Sequence, residues 1–307
     1  MRAVIFFLFL VATANVWSEE SGSVISSKDK TAKDKTAASQ QHELRYKFQL
    51  GEVIGWKVTH LSSVDTTIQG NTQTSKSRSV STKLWRVTNV DEKGNITFTH
   101  SVDNVEMWQQ LSDRPEVAYN SKKDNKPPPE YEQVSKTIGV VLATVQVSAT
   151  GEVLKREGDA PVITLGLGEI IMLLPPKAVG IGSRWHEPSE LAATGPDSQI
   201  KRIKIRKTYT LEKVQTGVAT ISVRTEVLTP IDNARIQSQI VQQLTNGTIK
   251  FDLDAGRLIS KQMDWDETVI GFNGAESQLK YLARINEELL DTIPISTKVP
   301  AQDNRVK

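Results

Sequence analysis

Long runs in which polar and apolar side chains alternate are the feature that most constrains this fold. Residues 56–64 read WKVTHLSSV and residues 80–87 read VSTKLWRV, and both are rich in Val, Thr and Ser. Residues 90–95, VDEKGN, have the composition of a turn, and residues 96–100 resume the alternation. A repeat of two places successive side chains on opposite faces of a strand. The sequence therefore predicts an antiparallel meander of long strands joined by tight turns.

A second pattern repeats on a larger scale. Residues 51–56 read GEVIGW and residues 180–185 read GIGSRW, so the same glycine-to-tryptophan spacing occurs twice. Each phrase leads into a predicted long strand, where the glycine permits a turn and the tryptophan fills the end of a core. Because similar elements follow both phrases in the same order, we predict a duplication that gives a first β unit over 43–157 and a second over 180–291.

Matching features mark the two predicted units. Each unit has a strand, a glycine turn, a second strand, a short helix and then a hairpin with another glycine turn. The turn glycines and helices are Gly94, residues 131–139 and Gly151 in the first unit, and Gly217, residues 234–244 and Gly256 in the second. Residues 277–291 combine helix-forming residues with alternation, and we predict a strand there because the preceding turn, GFNGAE, places them in a hairpin.

The predicted fold is mainly β, with two tandem antiparallel β units of the open-barrel or half-barrel type, each with a short helix. The linker, residues 158–179, contains the run IIMLLPP, for which we predict a short apolar helix. A helix that closes the concave face of a curved sheet forms an apolar cleft. The run either plugs such a cleft or forms core between the units, and both alternatives stay open.

Residues 1–18 have the three parts of a secretory signal peptide. Arg2 gives a positively charged start, an apolar stretch follows, and Ala12 and Ala14 form a small-residue cleavage pattern, with Ser18 as a second cleavage point. This N-terminus predicts an exported protein of the periplasm or the extracellular space.

Composition excludes several classes of protein. The chain has 307 residues, no cysteine and a formal net charge of +2, so we predict neither disulfides nor nucleic-acid binding. No apolar run after the signal peptide is long enough for a membrane-spanning helix. Residues 19–42, which contain KDKTA twice, and residues 292–307 predict a disordered tether and tail. No cofactor is predicted, because GLG at 166–168 lacks the rest of a dinucleotide fingerprint.

The densest acidic cluster, DWDE, supplies the candidate metal site. On a strand, Asp264 and Asp266 project from one face about 7 Å apart. Two such carboxylates suit a calcium ion, or an acid/base pair of the kind used in glycoside hydrolysis. The simpler interpretation, which the sequence favours, is a solvated outer face with Trp265 in the core on the opposite side.

The histidines and one basic run give weaker signals. No histidine has a neighbour at metal-ligand spacing, and His60 and His100, predicted on adjacent strands, are interpreted as partly exposed strand residues. The run KRIKIRK places Lys204 and Arg206 on one face of a strand and Lys207 on the other. It suits contact with an anionic surface. A solvated face that balances acids such as those of DWDE is the favoured interpretation.

Four strings in the chain resemble a known family. They are LRYKFQLGEVIGW, STKLWRV, DEKGNITFTHSV and FDLDAGRLISKQMDWDETVIGF. The family comprises uncharacterised secreted proteins abundant in planctomycete bacteria, which share a domain of unknown function, and the similarity covers residues 43–291. The resemblance implies a β-rich exported domain in the bacterial cell envelope, and it assigns no activity and no catalytic residue.

Two functions of different class follow. The first is a non-catalytic envelope protein that binds an apolar ligand such as a lipid, or a protein partner, through the sheet surface. The second is an exported calcium-dependent or carboxylate-based hydrolase that uses Asp264 and Asp266. The sequence favours the first, because no group of side chains shows the convergence that catalysis requires. The predicted sheet is analogous to periplasmic carriers of lipid or lipoprotein in fold alone.

Overall fold

The computed structural model describes residues 40–158, 170–196 and 198–291. Twelve strands form most of it: β1 (Val53–Ile68), β2 (Asn71–Val90), β3 (Ile96–Leu111), β4 (Val117–Asn120), β5 (Val141–Val147), β6 (Val153–Glu157), β7 (Arg184–Thr194), β8 (Ile200–Gln215), β9 (Val218–Val227), β10 (Asn246–Asp252), β11 (Arg257–Ile270) and β12 (Ser277–Leu289). The helices are α1 (Glu132–Ser135), which follows the 3₁₀ turn Pro129–Tyr131, and α2 (Ala234–Ile240), which precedes the 3₁₀ turn Val241–Gln243. The predicted mainly β, antiparallel fold with short helices is confirmed.

All twelve strands belong to one antiparallel sheet. The strand order is β6-β5-β3-β2-β1-β12-β11-β10-β9-β8-β7, and β4 pairs with β3 beside this path. The two end strands, β6 and β7, do not pair with each other within the described residues, so the sheet is open there. β12 is the last strand among the described residues, and it pairs with β1 from Trp56 to Ile68. The strand predicted over 277–291 is therefore confirmed, and it joins the two halves of the sheet.

The two halves repeat the same order of elements. β1, β2, β3, β5 and β6 form one meander and β7, β8, β9, β10 and β11 form the other. In each meander a short helix, α1 or α2, lies between the third and fourth of these strands. β4 occurs only in the first half and β12 only in the second. Both meanders lie within the residue ranges predicted for the two units.

The sheet curves around a main core cluster that both halves share. Trp56 on β1 and Trp185 on β7 are 2% and 7% exposed and belong to the same buried cluster. Phe98 on β3 and Phe251 on β10 join it with no exposed surface. Burying a phenylalanine side chain stabilises a fold by about 1.5–3 kcal/mol. Since strands near both ends of the strand order reach this cluster, the sheet is strongly concave on the core side.

Two extended segments fill one end of the concave sheet, and we call them the plug: residues 44–48 and residues 170–174. Their buried side chains belong to the shared core. The Tyr46 hydroxyl bonds the Met172 carbonyl at 3.1 Å and accepts from the Met172 amide at 2.8 Å. The Trp185 indole donates to the Leu173 carbonyl at 2.7 Å. Of the two alternatives for the IIMLLPP run, a helix that closes a cleft is not observed in residues 170–176, and the buried side chains of this segment belong to the core between the two halves.

The plug also ties the two halves together through equivalent turns. The Tyr46 amide donates to the Ala149 carbonyl at 2.9 Å, in the β5–β6 turn, and the Lys47 amide donates to the Gly256 carbonyl at 3.0 Å, in the β10–β11 turn. Gly151 and Gly256 have φ values of +83° and +61°. A Cβ at Gly151 would lie 2.2 Å from the Met172 carbonyl oxygen, so only glycine admits the plug there.

Several predicted segments lie outside the described residues. These are the signal peptide, the tether up to residue 39, residues 159–169 of the linker, and the tail from residue 292. The helix predicted in the linker is not present in residues 170–179. There Ile170, Met172 and Leu174 are buried in alternation, and two prolines follow, which suits an extended chain. Within the described ranges, no helix is long and apolar enough to cross a membrane.

Candidate ligand-binding groove

The inner face of β2, β1 and β12 forms a groove beyond the plug, which we call the inner groove. Its floor continues the face that carries the buried Trp56. The register places these floor residues side by side: His60 and Ser62 from β1, Ser75, Ser77, Ser79 and Ser81 from β2, and Ala283 and Ile285 from β12. All of them are half-buried. The floor is therefore amphipathic, with hydroxyl groups along β2 and β1 and apolar side chains along β12.

Helical segments cover the inner face on both sides of the groove. On the β3 side, Tyr131, next to α1, packs with Val102 and Met107 in a separate apolar cluster. On the other side, Ile236 and Ile240 of α2 pack against inner residues of β8. Asn233 caps the N-terminus of α2, and its side chain accepts hydrogen bonds from the Arg235 and Ile236 amides at 2.9 and 3.3 Å. The inner groove therefore lies between two helical lobes.

The groove ends, towards the plug, at three charged residues that we call the charged layer: the buried Lys83 on β2 and Glu287 on β12, and the half-buried Lys261 on β11. Lys83 is 2% exposed and Glu287 is 3% exposed. In the register, Lys83 lies opposite Trp56 and Glu287 lies opposite Val58, at successive inner positions of β1. Glu287 also lies opposite Lys261, with 3.8 Å between Oε1 and Nζ.

Electrostatics couple the three groups. Burial lowers the pKa of Lys83 to about 8, the Glu287 carboxylate opposes this shift, and the Lys261 ammonium adds to it. Two ammonium groups face one carboxylate, so the formal charge of the layer is +2 − 1 = +1. Buried charges are costly unless they are paired, and the Glu287 carboxylate favours the charged form of Lys83.

Two neutral histidines flank the charged layer. Burial lowers the pKa of His100 to about 3, with smaller contributions from Lys83 and Arg156, and burial and Lys83 also lower the pKa of His60. The sequence interpretation of His100 was wrong: it is 1% exposed and stacks on Trp85 with 4.3 Å between ring centroids. His60 and His100 are also not on adjacent strands, because β2 lies between β1 and β3.

Sequence reasoning missed the charged layer, although a signal for it exists. Residues two apart on a strand share a face. Lys83 lies two residues before Trp85, Lys261 two residues before Met263, and Glu287 two residues after Ile285. A charged residue at such a spacing from core residues indicates an inward-facing charge.

The acidic cluster lies on the outer face of the sheet, where Asp264 and Asp266 project away from the core. Burial acts to raise the pKa of Asp264, but hydrogen bonds from Gln262 and Arg284 outweigh it and hold that pKa below its ordinary value. Arg284 Nε lies 2.5 Å from Asp264 Oδ1. Trp265 faces inward, and its indole donates to the Gln242 carbonyl at 2.9 Å. The calcium site stays a prediction; over the described ranges, no group of three or more His, Asp or Glu residues is arranged to hold a metal.

The basic run on β8 forms ion pairs on the outer face. Arg206 donates from Nε and Nη2 to Glu226 Oε2 at 3.1 and 2.8 Å, and this contact is the main reason why the Glu226 pKa is lowered. Arg202 pairs with Glu190 at 2.8 Å. The balancing acids therefore come from the adjacent strands β7 and β9 rather than from DWDE. Lys207 lies on the opposite face from Arg206, as predicted.

A shallow pocket of about 310 Å³ lies where β10 begins, and it shares no residue with the inner groove. Its lining mixes charges of both signs with apolar groups: Arg224, Thr225, Glu226, Val227, Leu244, Asn246 and Glu267. Burial raises the pKa of Glu267, and the adjacent Asp266 adds to this effect. The Glu226 carboxylate is already engaged by Arg206 and Thr208.

Part of the chain matches the sequence model of a protein family. Residues 154–258 match a family of unknown function, DUF6263. No curated protein is similar enough to the chain to count as a match. Among solved structures, one described as "Lipid-protein interactions in lipovitellin" is similar, with 12% identity and a TM-score of 0.45. That match covers 80% of this chain and 25% of the lipovitellin chain. At this TM-score the likeness supports no functional conclusion.

Proposed function

We propose that this protein is an exported, non-catalytic binding protein of the cell envelope that holds an amphiphilic molecule, such as a lipid, in the inner groove. The single observation that carries the proposal is the amphipathic floor of the groove. The serine hydroxyls of β2 and the apolar residues Ala283 and Ile285 of β12 lie on the same inner face, on either side of β1, and both sets are half-buried.

The dimensions of the groove suit an extended ligand. Its floor runs along β1 from Val58 to Val64, which is six residue steps. At a rise of about 3.3 Å per residue this length is about 20 Å. Ser62 and Ser77 hydrogen-bond each other at 2.8 Å across β1 and β2, near the middle of this floor. A molecule with one polar edge and one apolar edge matches this surface.

Binding is favoured over catalysis because the polar groups near the groove are arranged in neutralising pairs or are buried. Lys261 and Glu287 face each other at 3.8 Å. The carboxylate cluster at Asp264 is on the outer face, where an arginine contacts it. The candidate pair in the groove is His60 and Ser79, which are register partners on β1 and β2, and in the described residues no hydrogen bond joins their side chains. Acyl transfer needs a nucleophile that is hydrogen-bonded to its base.

The first experiment is native mass spectrometry of the protein purified from its own host. We expect a bound mass that is released on denaturation and that lipid extraction identifies as an amphiphile. A bare protein mass in repeated preparations, together with failure to bind added lipid, would contradict the proposal.

A pair of variants tests the position of the ligand. Ala283→Trp places a large ring on the groove floor, whereas Leu282→Trp places the same ring one residue away on the outer face of β12. With a dansyl-labelled fatty acid as the probe, we expect Ala283→Trp to weaken binding at least tenfold and Leu282→Trp to leave it unchanged. Equal binding by both variants would place the ligand elsewhere on the molecule.

The proposed export has its own test. N-terminal sequencing of protein from the host is expected to begin after Ala14 or after Ser18. A mature chain that begins at Met1 in the cytoplasmic fraction would contradict the exported location, while leaving binding by the groove to be judged by the ligand experiments.

A further inference from the structure

The side chain of Lys83 lies at the end of the inner groove that faces the plug. Lys83 is 2% exposed. Its charge acts on His60, which belongs to the groove floor, and on His100, which is buried on β3. The Glu287 carboxylate acts on Lys83 in turn and favours its charged form. A ligand that lies along the groove therefore has an amine and a carboxylate at one of its ends.

An amine in this setting suits a reversible covalent bond to an aldehyde. It attacks a carbonyl carbon in its neutral form, and desolvation in an apolar site raises the neutral fraction of a lysine. Burial lowers the pKa of Lys83 to about 8, so roughly a tenth of these side chains are neutral at pH 7. An exposed lysine, with a pKa of about 10.4, is neutral roughly 200 times less often. Lys83 is therefore favoured over surface lysines as the nucleophile.

We propose that Lys83 binds a long-chain aldehyde as a protonated imine, with the alkyl chain in the inner groove and Glu287 as the counterion. This inference rests on the function proposed above and names its ligand class. The Lys83 nitrogen forms a bond to the carbonyl carbon, the carbon–oxygen bond breaks, and two of the three ammonium protons leave with the oxygen as water. The imine nitrogen keeps the third proton and its positive charge. The formal charge of the charged layer is therefore unchanged.

A neutral head group fits the charges that are already present. Glu287 Oε1 lies 3.8 Å from Lys261 Nζ, and the Glu287 side chain is 3% exposed. An anionic head group would add a second negative charge beside this carboxylate, whereas an aldehyde adds none. Burial and the charge of Lys83 lower the pKa of His60, so its imidazole is neutral at pH 7. This imidazole can take a proton from the ammonium and return it to the leaving oxygen.

Hydride trapping tests the bond directly. Dodecanal is added to the purified protein with sodium cyanoborohydride, which reduces an imine to a stable secondary amine, and mass spectrometry of the digest locates the product. We expect one dodecyl group per chain, on Lys83, formed at least tenfold faster than on an exposed lysine such as Lys204. Labelling that spreads over exposed lysines and omits Lys83 would overturn the proposal.

Variants test the amine and the groove separately. Lys83→Arg keeps the positive charge but removes the reactive amine, and we expect it to lose the adduct. Lys204→Arg makes the same change on the exposed outer face of β8 and is expected to keep it. Ala283→Trp should slow the labelling of Lys83 at least tenfold, and Leu282→Trp should leave it unchanged. Circular dichroism verifies that each variant is folded, and the wild-type digest decides the position of the adduct if Lys83→Arg does not fold.

Competition with the dansyl-labelled fatty acid separates this inference from the groove proposal. If dodecanol and dodecanal both displace that probe but no adduct forms on Lys83, the imine is wrong and the groove proposal stands. If acetaldehyde labels Lys83 as fast as dodecanal does, the amine reacts without the groove and a long-chain aldehyde is the wrong class. If neither compound displaces the probe and Lys83 stays unlabelled, both proposals are overturned.

Discussion

Gly151→Ala tests whether the plug is held as tightly as the geometry indicates. Gly151 has a φ of +83°, which costs an alanine about 1–2 kcal/mol. Its new Cβ would lie 2.2 Å from the Met172 carbonyl oxygen and 2.9 Å from both Ile171 Cγ2 and Tyr46 Cε2. The plug must therefore move, and such overpacking costs typically about 1–3 kcal/mol. The two terms together predict a loss of about 2–5 kcal/mol in the free energy of unfolding.

Gly51→Ala is the matched control for this variant. Gly51 has a φ of +82°, and a Cβ there meets nothing within 4 Å, so only the backbone term applies. We expect a loss of about 1–2 kcal/mol from urea unfolding followed by tryptophan fluorescence and circular dichroism. The difference between the two variants measures the contact with the plug. Losses that agree within about 0.5 kcal/mol would refute the close approach at Gly151, because the steric term alone is expected to exceed that.

Four further predictions address charge and capping. The folded pKa of Lys83 is about 8 against 10.5 for the free group, so the unfolded chain holds more protons between these values; wild-type stability relative to Lys83→Met should rise as the pH increases from 8 to 10.5 in denaturant titrations. The folded pKa of His100 is about 3 against 6.5; wild-type stability relative to His100→Gln should fall as the pH decreases from 6.5 towards 3, and a constant difference would contradict its neutral burial. Asn233→Ala removes the α2 cap and should cost about 1 kcal/mol in the same assay. In calorimetric calcium titrations we expect the wild type and the double variant Asp264→Asn/Asp266→Asn to give the same result. Calcium binding by the wild type that the double variant loses would support the predicted metal site.

Local sequence pattern was sufficient for the strands and for the turns between them. The alternation from Trp56 to Val64 lies within β1, and the turn glycines Gly151 and Gly256 have the positive φ values that such turns need. Even the ambiguous segment after residue 277 is a strand. These features depend on residues close together in the chain, which is why periodicity and turn composition report on them.

The orientation of β2 could not be predicted in the same way. One face of this strand carries Val80 and Leu84, and the other carries Trp85 and Val87, so the apolar content of the two faces is similar. The structure turns the second face inward, and with it Lys83. Register with β1 and irregularities in the β2–β3 pairing decide this orientation. Both depend on how neighbouring strands pair and on which face packs against the core, which alternation within β2 does not reveal, so the charged layer and the floor of the groove were not visible in the sequence.

The duplicated order of elements explains why the ligand site lies where it does. Each half ends in a glycine hairpin, and the curved sheet brings both hairpins to one end of the molecule. Adjacent amides of an extended segment point in opposite directions, so Tyr46 pairs with the first hairpin at Ala149 while Lys47 pairs with the second at Gly256. A single inserted segment thereby uses both copies and closes that end. The plug, residues 44–48 and 170–174, does not extend over the inner groove at the opposite end. The half-buried serines and aliphatic side chains of the concave face there remain as the surface for the proposed ligand.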